Sequence, residues 1–363
     1  MAPRLTRRDF LANTGAAAGF LLLPSGASSV EDGLNAHAMR RGLTFGCAIR
    51  DTQLVDKPLR DAMLREVGMM VPENEMKWRE IQKTSGPPNY FIADRMANFA
   101  ANHQLKLRGH TIIWHQKPPM WAGQALASAD GQALLLNYTK DIVSHFRGRV
   151  AEWDVVNEAI ETKDQLPGGL RDWRPYQENG YDFIANCFRV AHESDPNAVL
   201  CYNDFGLEYN NQGAKRDAVL LLLRELKKRD APIHCLGIQS HLVAGWNFNR
   251  KLFRDFLSEV AKIGLKIRLT ELEVDDKNLD ADIAERDAGV AQAAHEYLTT
   301  AFEEPAVTGV LSWGLSDYST RNVKMWRSRE DGLKPRRLLL DEDFKRKPVW
   351  YAVADCFDNA PLR

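Results

Sequence analysis

The 363-residue sequence has no long apolar run. Its apolar stretch near the start, Ala16 to Leu23, is too short to cross a bilayer, and no other stretch is a candidate. It has no long basic run and a formal net charge of −1, so nothing in it argues for nucleic acid. No Gly-x-Gly-x-x-Gly and no Walker-type loop follows an apolar strand pattern, which removes the usual reason for an open nucleotide-binding sheet. No Cys-x-x-Cys spacing occurs among Cys47, Cys187, Cys201, Cys235 and Cys356, and their number is odd. The expectation is unpaired, buried thiols acting as small apolar groups, not a disulfide framework. No His-x-His sits on a strand, so neither a metal nor a cofactor is expected. The absence of any low-complexity linker or short repeat argues against a second domain.

What is present begins with a leader. Thr6-Arg7-Arg8-Asp9-Phe10-Leu11 precedes the weak apolar run, and small residues follow from Ser25 to Ser29. The order charged, apolar, small resembles a twin-arginine export signal spanning residues 1–30, cleaved near Ala27 to Val30. The predicted location is periplasmic or extracellular, with no membrane contact once the leader is removed. Residues 31–363 then form a single folded domain. That length suits one α/β barrel with insertions, and an apolar fraction of 44% with 27% charged residues is that of a soluble globular chain. A monomer is expected.

Short apolar runs recur along this region. The predicted strands are Leu43–Ile49, Val67–Val71, Lys106–Ile113, Ala151–Val156, Ala198–Tyr202, His234–Gln239, Lys266–Thr270 and Val307–Trp313. Between them lie helical patterns over Ala93–Gln104, Ala133–Phe146, Tyr181–Glu193, Ala214–Arg229, Lys251–Ile263 and Ile283–Phe302. In Lys251–Ile263 the apolar stripe is Leu252, Phe253, Phe256, Leu257 and Val260. Pro348–Phe357 supplies a last helix, with proline in its first turn. Strands and helices that alternate in this way give a parallel sheet with crossover helices. Eight units predict closure into a single (β/α)8 barrel.

Polar residues fall at the C-terminal strand ends, where such a barrel builds its active face. Strand two ends in Pro72-Glu73-Asn74-Glu75-Met76-Lys77-Trp78, and strand three carries His110 and ends in Trp114-His115. Strand four, Trp153-Asp154-Val155-Val156, stops at Asn157-Glu158; strand five ends in Asn203-Asp204 and strand six in Gln239-Ser240-His241. Strand seven ends in Glu271 and strand eight in Trp313. Glu158 alone would serve as well as a helix N-terminal carboxylate, His241 as a core histidine and Lys77 as a surface cation. The combination points elsewhere. Two carboxylates facing each other across the barrel mouth are the minimum for glycosidic cleavage, one kept protonated and one ionised. Trp114 and Trp313 offer platforms for sugar rings, and the amide, Lys and His groups suit hydroxyls.

The motifs at 72–78, 109–115, 153–159, 239–241, 270–273 and 312–317, with Lys347-Pro348-Val349-Trp350-Tyr351-Ala352, resemble those of glycoside hydrolase family 10, the endo-β-1,4-xylanases. The resemblance runs in order from about Phe45 to Tyr351. It implies a retaining barrel enzyme acting on xylan and xylo-oligosaccharides, with Glu158 as general acid/base and Glu271 as nucleophile. Asn157 would bind the 2-hydroxyl at the cleavage point. His241 would hydrogen-bond the nucleophile, with Gln239 nearby. Glu73, Asn74, Lys77, His110 and Trp114 would build the glycone subsites, and Trp313 the platform under the reacting ring. Xylose lacks the C6 hydroxymethyl group, so tight glycone subsites can exclude glucose.

Two departures bear on fine specificity. Glu273 stands where the family usually has Asp, and is expected to support His241 beside Glu271. After Asp317 the family usually places a Trp; here Tyr318-Ser319-Thr320-Arg321-Asn322 follows, and two readings of Trp326 stand side by side: a replacement cover, with Arg321 reaching substrate hydroxyls, or a local anchor packed under its own loop. Three other readings are separable by assay. A β-1,4-glucanase would prefer soluble cellulose to xylan. A metal-dependent hydrolase using His110, His115 and His241 would respond to chelators. A non-catalytic sugar receptor would release no reducing ends.

Overall fold

Apolar runs bounded by polar punctuation do become strands here. The computed structural model describes residues 32–318 and 329–363. The proposed leader, residues 1–30, and both Arg321 and Trp326 lie outside the described residues. Among those described, the barrel strands are β1 (Thr44–Ile49), β2 (Met69–Pro72), β3 (Lys106–Gly109), β4 (Glu152–Asn157), β5 (Val199–Asp204), β6 (Cys235–Ile238), β7 (Lys266–Asp275) and β8 (Val307–Ser312). Neighbours pair in parallel and the ring closes, because β1 also pairs with β8 from Thr44↔Gly309 to Cys47↔Ser312. The predicted (β/α)8 barrel is the fold.

The crossover helices are α1 (Lys57–Glu66), α2 (Phe91–Asn102), α3 (Gly131–His145), α4 (Gly180–Ser194), α5 (Gly213–Lys228), α6 (Arg250–Lys262), α7 (Ile283–Phe302) and α8 (Pro348–Asp358). Their starts have local causes. The Asn249 side chain accepts from Leu252 N at 3.1 Å to open α6, and Asp282 accepts from Glu285 N at 3.0 Å to open α7. On α6, Phe253, Phe256, Leu257 and Val260 face the barrel, whereas Leu252, expected in that stripe, is exposed. Helix α1 was not predicted, although Asp56 caps it and proline lies in its first turn. Among the described residues, no helix is long and apolar enough to cross a membrane.

Three departures from the predicted strands shape the site. The run Lys106–Ile113 is not one strand. It leaves the ladder after Gly109, has a cis peptide at His110–Thr111, and resumes as Ile113–Trp114 beside Val156 and Asn157 of β4. A second short segment, His241–Val243, leaves β6 and lies along β7 with His241 opposite Glu273. Strand β7 does not stop at Thr270 but continues to Asp275, so Glu271 lies inside it. A register shift between Asp154 and Val156 marks a bulge in β4 just before Asn157, the kind of irregularity that re-aims side chains.

All five cysteines are free and buried, as expected. At the closed end of the barrel, Arg363 N–H donates to the Arg41 carbonyl at 3.0 Å and its Nε to the Val307 carbonyl at 3.2 Å. The last residue is thereby fixed against the starts of β1 and β8.

Candidate active site

Glu158 follows β4 directly and takes a left-handed conformation, φ 58°. Its N–H donates to the Asn203 carbonyl of β5 at 2.9 Å, and Arg171 Nε donates to its carbonyl at 2.9 Å. Its carboxylate accepts from Trp114 Nε1 at 2.7 Å and from Gln239 Nε2 at 2.9 Å. Burial pushes this carboxyl above its usual range. The two donors pull the other way, but the negative charges of Asp204 and Glu271 reinforce burial, and the net shift is upward.

Glu271 meets a different environment. Its carboxylate accepts from Asn203 Nδ2 at 2.9 Å and lies 3.2 Å from His241 Nε2. Burial would raise it, yet the His241 hydrogen bond and the fields of His110 and His241 outweigh burial and leave it below the usual range. Burial would likewise neutralise His241; hydrogen bonds to Glu271 and Glu273 instead push it up to about 9. Glu273 Oε1 sits 2.9 Å from His241 Nδ1, and Arg337 stands 3.9 Å behind Glu273. Near neutral pH an imidazolium is therefore held between two carboxylates.

Asn203 joins the two halves. Its Nδ2 donates both to Glu271 and, at 2.9 Å, to Asn157 Oδ1, while its Oδ1 accepts from Thr270 Oγ1 at 2.7 Å. With its oxygen occupied, Asn157 keeps its NH2 group for another acceptor.

The remaining predicted residues form the other wall. Lys77 Nζ lies 5.0 Å from the Trp114 ring centroid and 5.8 Å from that of Trp313. Burial lowers its pKa, with Glu271 and Glu73 opposing. The Trp313 ring meets His110 edge-on at 5.3 Å and His241 at 6.4 Å. Glu73 is held by Arg50 through bonds of 2.8 and 2.9 Å, and Asn74 Nδ2 donates to it at 3.3 Å. Lys77 N donates to the Asn74 carbonyl at 2.9 Å, which ties this group to the rest. Below, His110 Nδ1 sits 3.0 Å from Asp154, itself clamped by the buried Arg108. A carboxylate there fixes Nδ1 as the donor and frees Nε2 for the cleft.

Contacts thus link the predicted site residues among those described into one cluster, while Arg321 and Trp326 lie outside the described residues. Among the described residues, no group of three or more His, Cys, Asp or Glu side chains is arranged to hold a metal ion. Sequence reasoning gave no role to Asn203, Arg171 or Glu208. The polar pair Asn203-Asp204 at the end of an apolar strand was the available signal for the first.

A (β/α)8 barrel whose mouth sets two carboxyls in environments that push their pKa values apart, Glu158 up and Glu271 down, defines a class, the two-carboxylate glycosidases. The sequence profile of Glycosyl hydrolase family 10 matches residues 33–356, and the chain belongs to that family. It is 32% identical over 322 residues to the beta-1,4-xylanase of Dictyoglomus thermophilum, covering 85% of this chain and 87% of that one. It is 31% identical over 328 residues to exoglucanase XynX of Acetivibrio thermocellus, covering 86% of this chain but only 28% of that longer protein. Among solved structures, xylanase 10B of Thermotoga petrophila in complex with xylobiose superposes with a TM-score of 0.80 at 29% identity, over 90% of this chain and 97% of that one.

Proposed function

We infer that the chain is an endo-1,4-β-xylanase that hydrolyses xylan with retention of configuration. The observation that carries this is the pair Glu158 and Glu271 at the barrel mouth, the first bound by Trp114 and Gln239 and raised by burial, the second bound by Asn203 and His241 and lowered by that histidine. In the first step Glu271 attacks the anomeric carbon while Glu158 gives its proton to the glycosidic oxygen, and the leaving chain departs. This forms a xylosyl ester on Glu271. Glu158, now ionised, takes a proton from water as that water attacks the same carbon and releases Glu271. Asn157 donates to the 2-hydroxyl, Trp313 underlies the reacting ring, and Lys77, Glu73, Asn74, His110 and Trp114 bind the glycone. The relatives named xylanases support xylan as substrate.

Digestion of glucuronoxylan followed by proton NMR tests the reading. The β-anomer should appear first; the α-anomer first would exclude the double displacement. The relative named an exoglucanase makes soluble cellulose the comparison substrate, and xylan should be cleaved much faster. We further propose a monomer exported by the twin-arginine route, supported by Arg7-Arg8 and the residues after them. Loss of export on Arg7→Lys/Arg8→Lys, read in cell fractions, tests the route.

A further inference from the structure

Gln239 donates to Glu158 and His241 holds Glu271, and a single residue, Ser240, separates them. In a regular strand, residues two apart point the same way and continue on the same ladder. Here the chain leaves β6 at Ile238 and joins β7 at His241, and Ser240 between them is left-handed, φ 63°. A non-glycine residue keeps that conformation only where its surroundings impose it. Ser240 Oγ donates to the Ile238 carbonyl at 3.0 Å and pairs with Tyr297 OH at 2.8 Å. Its N–H donates to Glu208 Oε1 at 2.9 Å. Glu208 is 3% exposed, and its second oxygen accepts from Leu207 N at 2.8 Å.

No step of the hydrolysis uses this carboxylate. We propose that Glu208 is a positioning residue: by fixing the backbone at Ser240 it aims Gln239 at Glu158 and His241 at Glu271. The position demands an acceptor on both oxygens, which a carboxylate provides and an amide does not. In Glu208→Gln, one buried N–H faces an NH2 group, and the backbone moves to relieve it. Around Glu208 stand Ser240, His241, Arg216, Tyr209 and Tyr297. Glu158 faces Trp114, Gln239, Asp204, Glu271 and Lys77, and Glu271 faces His241, His110, Asp154, Asn203 and Lys77.

The role assigned to Glu208 rests on the glycosidase reading, so its test has an arm that needs no turnover. Carbon-13 NMR titration of glutamate side chains follows Glu158 and Glu271 directly in wild type, Glu208→Gln and Glu208→Asp. In Glu208→Gln both titrations should move to higher pH, because each carboxylate loses a donor that favours its ionised form. Glu208→Asp, which keeps both acceptors on a shorter stem, should move them less. With an aryl β-xylobioside, kcat should fall by about ten- to a hundredfold, the scale of a small misplacement, with KM within about twofold. Adding Ser240→Gly to Glu208→Gln should recover part of kcat, since glycine takes a left-handed conformation unaided. Unmoved titrations in a folded Glu208→Gln would overturn the proposal. If that variant does not fold, the titrations in Glu208→Asp decide. No hydrolysis by the wild type would instead fault the glycosidase reading, and the titrations would still decide on Glu208.

Discussion

Burial by itself raises the pKa of both Glu158 and Glu271; only at Glu271 does a neighbouring cation reverse the shift. The two residues should therefore fail differently when removed. Glu158→Ala should still form the glycosyl ester from a substrate with a good aryl leaving group, then stall, and added azide should restore turnover as the β-glycosyl azide. Glu271→Ala should lose ester formation on every substrate. A β-azide from Glu271→Ala would reverse the assignment. His241 links the site to stability. Its pKa rises from 6.5 to about 9 on folding, so its contribution is complete below pH 6.5 and is lost as pH climbs through 9. The loss is up to about 3 kcal/mol. Urea melts from pH 6 to 10 should show this slope, and His241→Gln should flatten it. A slope unchanged in that variant would place its origin elsewhere.

The elements deliver these residues by close packing as much as by strand order. Gly237 in β6 faces Asn203 in β5, where a Cβ would overlap Asn203 Oδ1 and touch Thr270 Cγ2. Gly237→Ala should displace the amide that joins Asn157 to Glu271. We expect a loss of about 1–3 kcal/mol in urea melts together with a fall in kcat. Wild-type kcat in this variant would show that Asn203 needs no fixed seat. Strand and helix order was legible because apolar runs and helical stripes are local patterns; α7 lies where its stripe predicts, Ile283–Phe302. The continuation of β7 was not legible. Glu271 and Glu273 read as a strand end because a buried carboxylate looks unaffordable until His241 and Arg337, brought from other elements, stand beside it. The break after Gly109 was hidden for a related reason, since composition does not record where backbone leaves a ladder. Asn203 was visible as a polar strand residue, but its three bonds reach β4 and β7 and exist only in the closed ring.

The whole barrel is fastened where its first and last elements meet. Glu66, fully buried at the end of α1, accepts from Leu34 N at 3.0 Å and Trp350 Nε1 at 2.8 Å, and from Arg65 Nε and Arg346 Nη2, each at 3.1 Å. One carboxylate thus ties the helix Leu34–Met39 and α1 to α8. Glu66→Ala strands these donors and should cost about 3–5 kcal/mol in urea unfolding while kcat at 25 °C stays near wild type. An equal fall in kcat would mean that the seam reaches the site. The same end of the barrel anchors Arg363, against the starts of β1 and β8, whereas Glu158 lies at the opposite end, where β4 finishes. A tether attached through Arg363 therefore points the cleft away from whatever holds it. Immobilised on a bead by that residue, the enzyme should meet an insoluble polysaccharide face-on and lose little of its rate.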